Sequence, residues 1–204
     1  KSEITFTPSL AFSSSESSFL MDETMASGNK VNFSIDNFGF IAAFEGSGDW
    51  ENFNFGFVYN KIADFNEKVT IEGINNNTSV TDFWADEASD NGLDDYSTGM
   101  AYDQYLLNLV NGSLNQYESA TTTGSHQQSK SIENQGGIGD FAFTFATNYD
   151  HLLFLGASFG IQSVRFESAT FFTEFDDLDD DIDFKELEYW EETKINVHGM
   201  NLKL

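Results

Sequence analysis

Bulky apolar residues and small polar residues alternate along several segments of this chain. Around position 143, for example, Phe141, Phe143 and Phe145 alternate with Ala142 and Thr144. Because successive side chains of a strand point to opposite faces, a period of two predicts a β-strand. The same period predicts strands at 51–62 and 151–163, and further strands are expected at 3–13, 30–45, 67–74 and 193–204.

The polar faces of these strands carry Gly, Ala, Ser, Thr and Asn, and few charged residues. A soluble sheet usually presents charged side chains to water, whereas bulky residues opposite small neutral ones are typical of a transmembrane barrel. In such a barrel the bulky residues meet lipid, and the small residues line a hydrated or plugged lumen. The alternative is a soluble β-sandwich with phenylalanines in its core. Both interpretations make the fold all-β and antiparallel.

Short turns and long connections alternate along the chain. Tight turns are predicted at 46–49 and 148–151, and a long loop insertion at 75–126. Outer-membrane barrels have short periplasmic turns, long extracellular loops and aromatic girdles at both interfaces. Six large aromatic residues lie beside the two short turns: Phe44, Trp50, Phe53, Phe145, Tyr149 and Phe154. These features favour an antiparallel transmembrane β-barrel of the outer membrane over the sandwich.

Two irregularities interrupt the simple strand pattern. Bulky residues stand at odd positions from 31 to 35 and at even positions from 38 to 44. Either a β-bulge near Asp36 and Asn37 re-aims the strand, or its upper part has left the membrane. The strands at 129–148 and 152–174 also exceed the ~9–11 residues that cross a bilayer. We expect their excess length to stand above the outer leaflet as a rim.

The long insertion contains aromatic residues at helical spacing. Short helices are predicted at 79–88 and 100–110, followed by a mobile polar tip at 111–137. Five of its apolar residues are candidates for ligand binding: Phe83, Trp84, Tyr102, Tyr105 and Leu106. On an extracellular loop, such side chains either pack together or form a hydrophobic capture groove. Phe65, Phe171 and Phe172 are candidates for the same cluster.

The composition restricts the function further. The 204 residues include 34 Asp and Glu against nine Lys and Arg, a formal net charge of -25, which argues against a nucleic-acid partner. A mean hydropathy of -0.35, with no apolar run of ~18 residues, argues against an α-helical membrane protein. The chain has 22 Phe, so an apolar environment must accept them. The absence of Cys excludes disulfides, thiolate metal sites and cysteine nucleophiles.

Three further sequence patterns are candidates for catalytic or metal sites. Residues 156–160 match G-x-S-x-G, but their strand alternation continues without the turn and helix of a nucleophile elbow. The three histidines share no metal-ligand or acid–base spacing, and His126 is placed in a polar loop. The aspartate run at 176–183 resembles a calcium loop whose ligands would be Asp177, Asp179, Asp181 and Glu188. Ile182 stands where that loop needs Gly, so a solvated acidic loop or loose divalent-cation binding is the alternative.

Four phrases, in this order, resemble the FadL/TodX family of outer-membrane transport proteins, especially its Bacteroidota-type members. They are ITFTPSL at 4–10, AYDQYLLN at 101–108, LGASFGI at 155–161 and GMNLKL at 199–204. The resemblance implies a larger barrel whose lumen is plugged by an N-terminal hatch. It also implies passive uptake of hydrophobic compounds and release through a gap in the wall. About six strands are predicted here, fewer than the eight of the smallest single-chain barrels. We therefore expect residues 1–204 to be a partial barrel domain, without the hatch and the later strands.

The expected function is passive uptake of hydrophobic small molecules of the fatty-acid or aromatic-hydrocarbon type across the bacterial outer membrane. No enzymatic step and no cofactor is expected, apart from a loosely bound divalent cation. The expected partners are outer-membrane lipid and lipopolysaccharide, the hydrophobic ligand and other outer-membrane proteins. The first alternative is a FadL-like scaffold or partner subunit that does not transport. The second is a soluble secreted β-sandwich that binds calcium or glycans.

Overall fold

The computed structural model describes residues 1–18, 25–121, 125–176 and 184–204. Two helices, α1 (Val80–Asn91) and α2 (Thr98–Asp103), lie between the fourth and seventh strands. The strands are β1 (Glu3–Ser18), β2 (Met25–Glu45), β3 (Trp50–Asp64), β4 (Glu67–Asn75), β5 (Leu107–Leu109), β6 (Tyr117–Ser119), β7 (His126–Tyr149), β8 (Leu153–Asp176) and β9 (Glu186–Lys203). No helix in this part of the chain is long and apolar enough to cross a membrane.

Seven of the strands form one antiparallel sheet in the order β1–β2–β3–β7–β8–β9, with β4 also paired to β7. Strand β3 pairs with the part of β7 near its end at Tyr149, and β4 pairs with the part near its start at His126. Strands β3 and β4 therefore share one position, which gives the sheet six positions. The predicted all-β antiparallel class is confirmed. The sheet is open in the part of the chain that the structure describes.

One face of the sheet, the aromatic face, carries the bulky residues of every strand in the lower half. A single row crosses all six positions: Phe6, Phe38, Tyr59, Phe141, Ile161 and Met200. The next row towards the tight turns contains Ile4, Phe40, Phe57, Phe143, Phe159 and Leu202. The rings of Phe57 and Phe143 lie 5.2 Å apart, yet Phe143 remains 49% exposed. We call this surface, from the tight turns to the first row, the apolar belt.

The opposite face, the small-residue face, carries side chains such as Gly56, Ala142, Thr144 and Gly160 at the level of the belt. Strands β7 and β8 stay paired without a shift along their full length, so each strand keeps the same set of residues on the same face throughout. Residues 156–160 lie inside β8 (Leu153–Asp176), so the strand–turn–helix of a nucleophile elbow does not form. The two faces are therefore chemically distinct.

Both tight turns lie at the same end of the sheet, as predicted. Asp150 and His151 have positive φ angles of 46° and 53°, the geometry of a two-residue hairpin turn. The backbone N–H of Asp150 donates to the carbonyl of Asp49 over 2.7 Å, which joins the two turns. The rings of Trp50 and Tyr149 meet edge to face beside them. Five of the six aromatic residues predicted at this end form a cluster, whereas the register places Phe154 on the opposite face of the sheet.

The predicted bulge in the second strand is also confirmed. Thr7 pairs with Asn37 and Pro8 with Ile35, so Asp36 is the extra residue of β2. Beyond this point β2 leaves β3, because their pairing ends at Asn37 and Asn60. The β1–β2 hairpin then contacts β4 through serine hydroxyl groups that donate to backbone carbonyls. These donors are Ser13, Ser15 and Ser17, and the acceptors are Asn66, Lys68 and Thr70.

The long connection between β4 and β7, which we call the insertion (76–125), is more ordered than predicted. The first predicted helix is confirmed as α1, but the prediction of a helix at 100–110 is wrong beyond Asp103. Tyr105 has a φ of 61°, which ends the helix, and residues 107–109 pair as β5 with β6 instead. Much of the segment predicted as a mobile tip belongs to β7, which begins at His126.

The insertion folds back onto the small-residue face of the sheet. Its buried core comprises Trp84, Ala85, Ala88, Ala101 and Leu107. Leu187 and Tyr189 of β9 pack against this core, and the register places both on the small-residue face. The most deeply buried apolar cluster among the described residues is therefore the contact between the insertion and the upper sheet.

Candidate ligand-binding groove between the insertion and the sheet

Local sequence fixes where α1 begins. Ser79 caps the helix by accepting a hydrogen bond from the backbone N–H of Thr81 over 3.1 Å. The Asp82 carboxylate in turn accepts from the backbone N–H of Ser79 over 2.9 Å, which completes a capping box. This start places Phe83 and Trp84 in the first turns. Trp84 turns inward and is 6% exposed, whereas Phe83 is 63% exposed.

A buried polar cluster holds the same helix end on the sheet. The Glu174 carboxylate of β8 accepts from the backbone N–H of Val80 over 3.0 Å, and its other oxygen lies 2.7 Å from His126 Nδ1. Glu174 is fully buried, His126 is 2% exposed, and Phe184 stacks on the His126 ring at 5.3 Å. The placement of His126 in a polar loop is wrong: it begins β7 and has a buried carboxylate partner. We call Val80, His126 and Glu174 the anchor.

A groove of about 460 Å³ lies beside the anchor, between α1 and the small-residue face. It is lined by Val80, Phe83, Trp84, Tyr96, Ser97, Lys130, Thr170, Phe172, Tyr189 and Glu191. The rings of Trp84 and Tyr189 meet edge to face at 5.4 Å and form its inner wall. Phe83 and Tyr96 stand in solvent at its rim and are 63% and 78% exposed.

The groove combines aromatic walls with one cation and one carboxylate at its edge. Lys130 and Glu191 are both exposed. Burial, with a contribution from the Glu191 and Asp94 charges, raises the pKa of Tyr189 above its usual value. Apolar walls with a few polar groups are the usual construction of a small-molecule site. Such a groove suits an apolar or amphipathic molecule.

The structure divides the five predicted ligand-binding residues. Phe83 and Trp84 line the groove, whereas Tyr102 and Tyr105 line a separate cavity of about 240 Å³. Leu106 packs against the buried core of the insertion.

The three phenylalanines considered for the same cluster also separate. Phe172 lines the groove. The register places Phe171 on the opposite face of β8, and Phe65 packs against Phe166 at 5.7 Å. Sequence reasoning missed Tyr96 and Tyr189. The alternation of Leu187 and Tyr189 with glutamates could have predicted Tyr189, but Tyr96 reaches the groove only through the tertiary fold.

The described residues do not test the predicted calcium site. Asp177, Asp179 and Asp181 lie outside the described residues, and the fourth predicted ligand, Glu188, is exposed on β9 opposite Thr173. Within the described ranges, no group of three or more His, Asp or Glu residues is placed to hold a metal ion.

Comparison with known proteins gives no identification. No protein-family model matches the chain. No curated protein matches it, and no solved structure matches it. The resemblance to the FadL/TodX family therefore stays a prediction that depends on the four sequence phrases, and function must be argued from the sheet and the groove.

Proposed function

We propose that this chain forms part of the wall of an outer-membrane β-barrel that takes up hydrophobic small molecules by diffusion. The apolar belt would face lipid, the small-residue face would line the lumen, and the insertion would stand at the outer opening. The groove beside α1 would capture the ligand before it passes into the lumen. No chemical step is part of this function.

The observation that carries the proposal is the chemical difference between the two sheet faces. The belt is exposed across six strand positions, with Phe6, Phe143 and Met200 at 58%, 49% and 78%. Soluble monomers rarely expose apolar patches beyond a few hundred Å². Along β8 the belt runs from Leu153 to Ile161, a length that matches the ~9–11 residues with which a tilted strand crosses a bilayer.

Strands β8 and β9 become polar on the aromatic face directly above the belt, which supports the proposed depth in a bilayer, whereas β1 and β2 keep apolar residues such as Leu10 and Phe33 exposed on that face. Beyond Ile161, β8 presents Ser163, Arg165 and Glu167, and β9 presents Lys194 and Glu192 beyond Met200. A soluble sandwich gives no reason for β8 and β9 to change the character of one face halfway along the strand. A bilayer does, since its hydrocarbon region ends there.

The position of the insertion supports the transport role. Because it packs on the small-residue face, it would cover the lumen rather than project away from the barrel. A ligand in the groove would thus lie between the outer opening and the lumen wall. A scaffold that only binds other outer-membrane proteins would not need an aromatic groove on this side.

Transport can be tested with the full-length protein in liposomes, by uptake of a labelled long-chain fatty acid and of a labelled aromatic hydrocarbon. Phe83→Ala and Tyr96→Ala shorten exposed rim residues, so both variants should fold and reduce uptake at low ligand concentration about three- to tenfold. Tyr105→Ala is the matched control, because it removes an equally exposed ring from the separate cavity.

Absence of uptake of either compound by the membrane-inserted wild-type protein would reject transport and favour the scaffold. A protein that stays monodisperse without detergent would reject the membrane role altogether. If Tyr105→Ala alone lowered uptake, capture would belong to the second cavity rather than to the groove.

A further inference from the structure

The only arginine of the chain lies on the aromatic face just above the apolar belt. Arg165 of β8 is paired with Gly137 of β7 and Asn196 of β9. The adjacent row towards the belt contains Gly139, Ser163 and His198. These residues line a cavity of about 610 Å³, whose other wall includes Asn32, Ser34, Tyr59, Lys61 and Asp64.

Arg165 differs from the lysines around it in having no carboxylate partner. Lys30 lies 3.0 Å from Glu133, Lys61 lies 3.5 Å from Asp36 and also contacts Asp64, and Lys194 lies 2.7 Å from Glu192. Among the described residues, none forms an ion pair or a hydrogen bond with the Arg165 side chain. In a chain with a net charge of -25, an exposed guanidinium without a counter-charge is a specific place for an anion.

Glycines keep the floor of this cavity open beside the guanidinium. A Cβ atom at Gly139 would lie 2.9 Å from the Tyr59 ring, so a larger residue there would displace that ring. Gly136 has a φ of 117°, and a Cβ atom there would lie 2.2 Å from the carbonyl oxygen of Arg165. The hydroxyl, amide and imidazole groups of Ser163, Asn196 and His198 surround the space that the glycines leave.

We propose that this cavity binds the phosphate headgroup of an anionic lipid whose acyl chains lie along the apolar belt. The proposal depends on the proposed function, because it needs the belt to face a bilayer. Arg165 would hold the phosphate with two N–H donors, for which the planar guanidinium has the matching geometry. Directly below, Ile161 and Met200 offer an exposed apolar surface to the chains, and Met200 is 78% exposed.

Two observations favour a lipid phosphate over free phosphate as the occupant. The cavity is continuous with the belt through Tyr59 and Phe141, which belong both to its lining and to the first row of the belt. The net charge of -25 repels a free anion, whereas a lipid is delivered along the apolar surface.

The test uses the full-length protein in detergent, mixed with diphosphoryl lipid A and, separately, with the same lipid after enzymatic removal of its phosphates. Native mass spectrometry counts the retained lipid molecules. Wild type should retain diphosphoryl lipid A at least tenfold better than Arg165→Gln does, and Arg165→Lys should fall between the two because it keeps only the charge. Lys203→Gln is the matched control, since Lys203 is an exposed cation on the small-residue face and lines neither the groove nor this cavity.

Equal retention by wild type and Arg165→Gln would overturn the proposal, as would equal retention of the dephosphorylated lipid. Full competition by millimolar inorganic phosphate would also overturn it and would assign the cavity to a free anion. Uptake by the Arg165→Gln protein in liposomes separates the two proposals. A variant that transports normally but has lost the lipid supports the headgroup site, and wild type that keeps the lipid but does not transport rejects only the transport function.

Discussion

At the scale of single residues, the anchor shows how one buried carboxylate can hold an insertion on a sheet. Glu174 accepts hydrogen bonds in two directions, from Val80 of α1 and from His126 of β7. Removing a buried carboxylate that holds two hydrogen-bond donors costs about 3 kcal/mol, because the donors stay buried and unsatisfied. An amide of the same shape could still accept from Val80 and donate to a neutral imidazole.

We therefore expect Glu174→Ala to open the insertion far more often than Glu174→Gln does. Hydrogen exchange of the α1 amides should accelerate about a hundredfold in the alanine variant, which corresponds to about 3 kcal/mol, and much less in the glutamine variant. The strand amides of the belt serve as the internal control. Similar acceleration in both variants would show that shape, rather than hydrogen bonding, holds the helix.

Asp94, in the connection between α1 and α2, is a second hydrogen-bonded carboxylate of the insertion, and the stability that it contributes depends on pH. The Ser97 hydroxyl and the backbone N–H groups of Ser97 and Tyr96 donate to its carboxylate, and these bonds lower its pKa well below the usual value. A lowered pKa means stability that is present above the unfolded value of about 3.9 and is lost as the pH falls through the folded pKa. Because Tyr96 and Ser97 line the groove, this local stability should shape its rim.

Asp94→Asn should therefore loosen the groove rim at pH 7 and loosen it clearly less at pH 2, which lies below the unfolded pKa but not below the folded one. The measurement is hydrogen exchange at Tyr96 and Ser97, corrected for the intrinsic rate at each pH. Asp90→Asn, an exposed change in α1, should have no effect at either pH. An effect of Asp94→Asn that is equally large at both pH values would show that the carboxylate charge is not responsible.

At the scale of elements, period-two patterns predicted the sheet well because strand parity is a local property. The bulge at Asp36 was visible as a change from odd to even bulky positions, and the structure places the extra residue there. The helix at 100–110 failed for a tertiary reason. The apolar residues that suggested this helix are buried without forming one, since Leu107 lies in the core of the insertion as part of a β-strand pair.

The candidate site was less predictable than the strands, because it joins elements that are far apart in sequence. Phe83 and Trp84 could be selected from their helical spacing, but their partners Phe172 and Tyr189 come from β8 and β9. The anchor was missed for the same reason, since 48 residues separate His126 from Glu174. Local patterns contain no information about which distant strand will present a side chain to a helix.

At the scale of the whole molecule, the proposed orientation makes the two sheet faces chemically distinguishable in a membrane. The chain has no Cys, so each single-cysteine variant carries one thiol. In liposomes, cysteines at Ala142 and Thr144 should react with a water-soluble maleimide through the lumen. Cysteines at Phe55 and Phe143 should stay unlabelled in liposomes and react only after denaturation, because thiols in hydrocarbon are not ionised and meet no water-soluble reagent. Cysteine at the highly exposed Tyr105 should react with the water-soluble reagent and serves as the accessibility control.

This test depends on the alternation of the two faces, since cysteines at the neighbouring positions 143 and 144 would lie on opposite faces of the sheet. A soluble sandwich with the aromatic face in its core predicts a different pattern. There, cysteines at Phe55 and Phe143 would also be protected, but they would stay protected in water without any lipid present, where the small-residue face would still be labelled. Labelling that does not alternate would reject both orientations of the sheet, because either one requires strand side chains to change environment with a period of two.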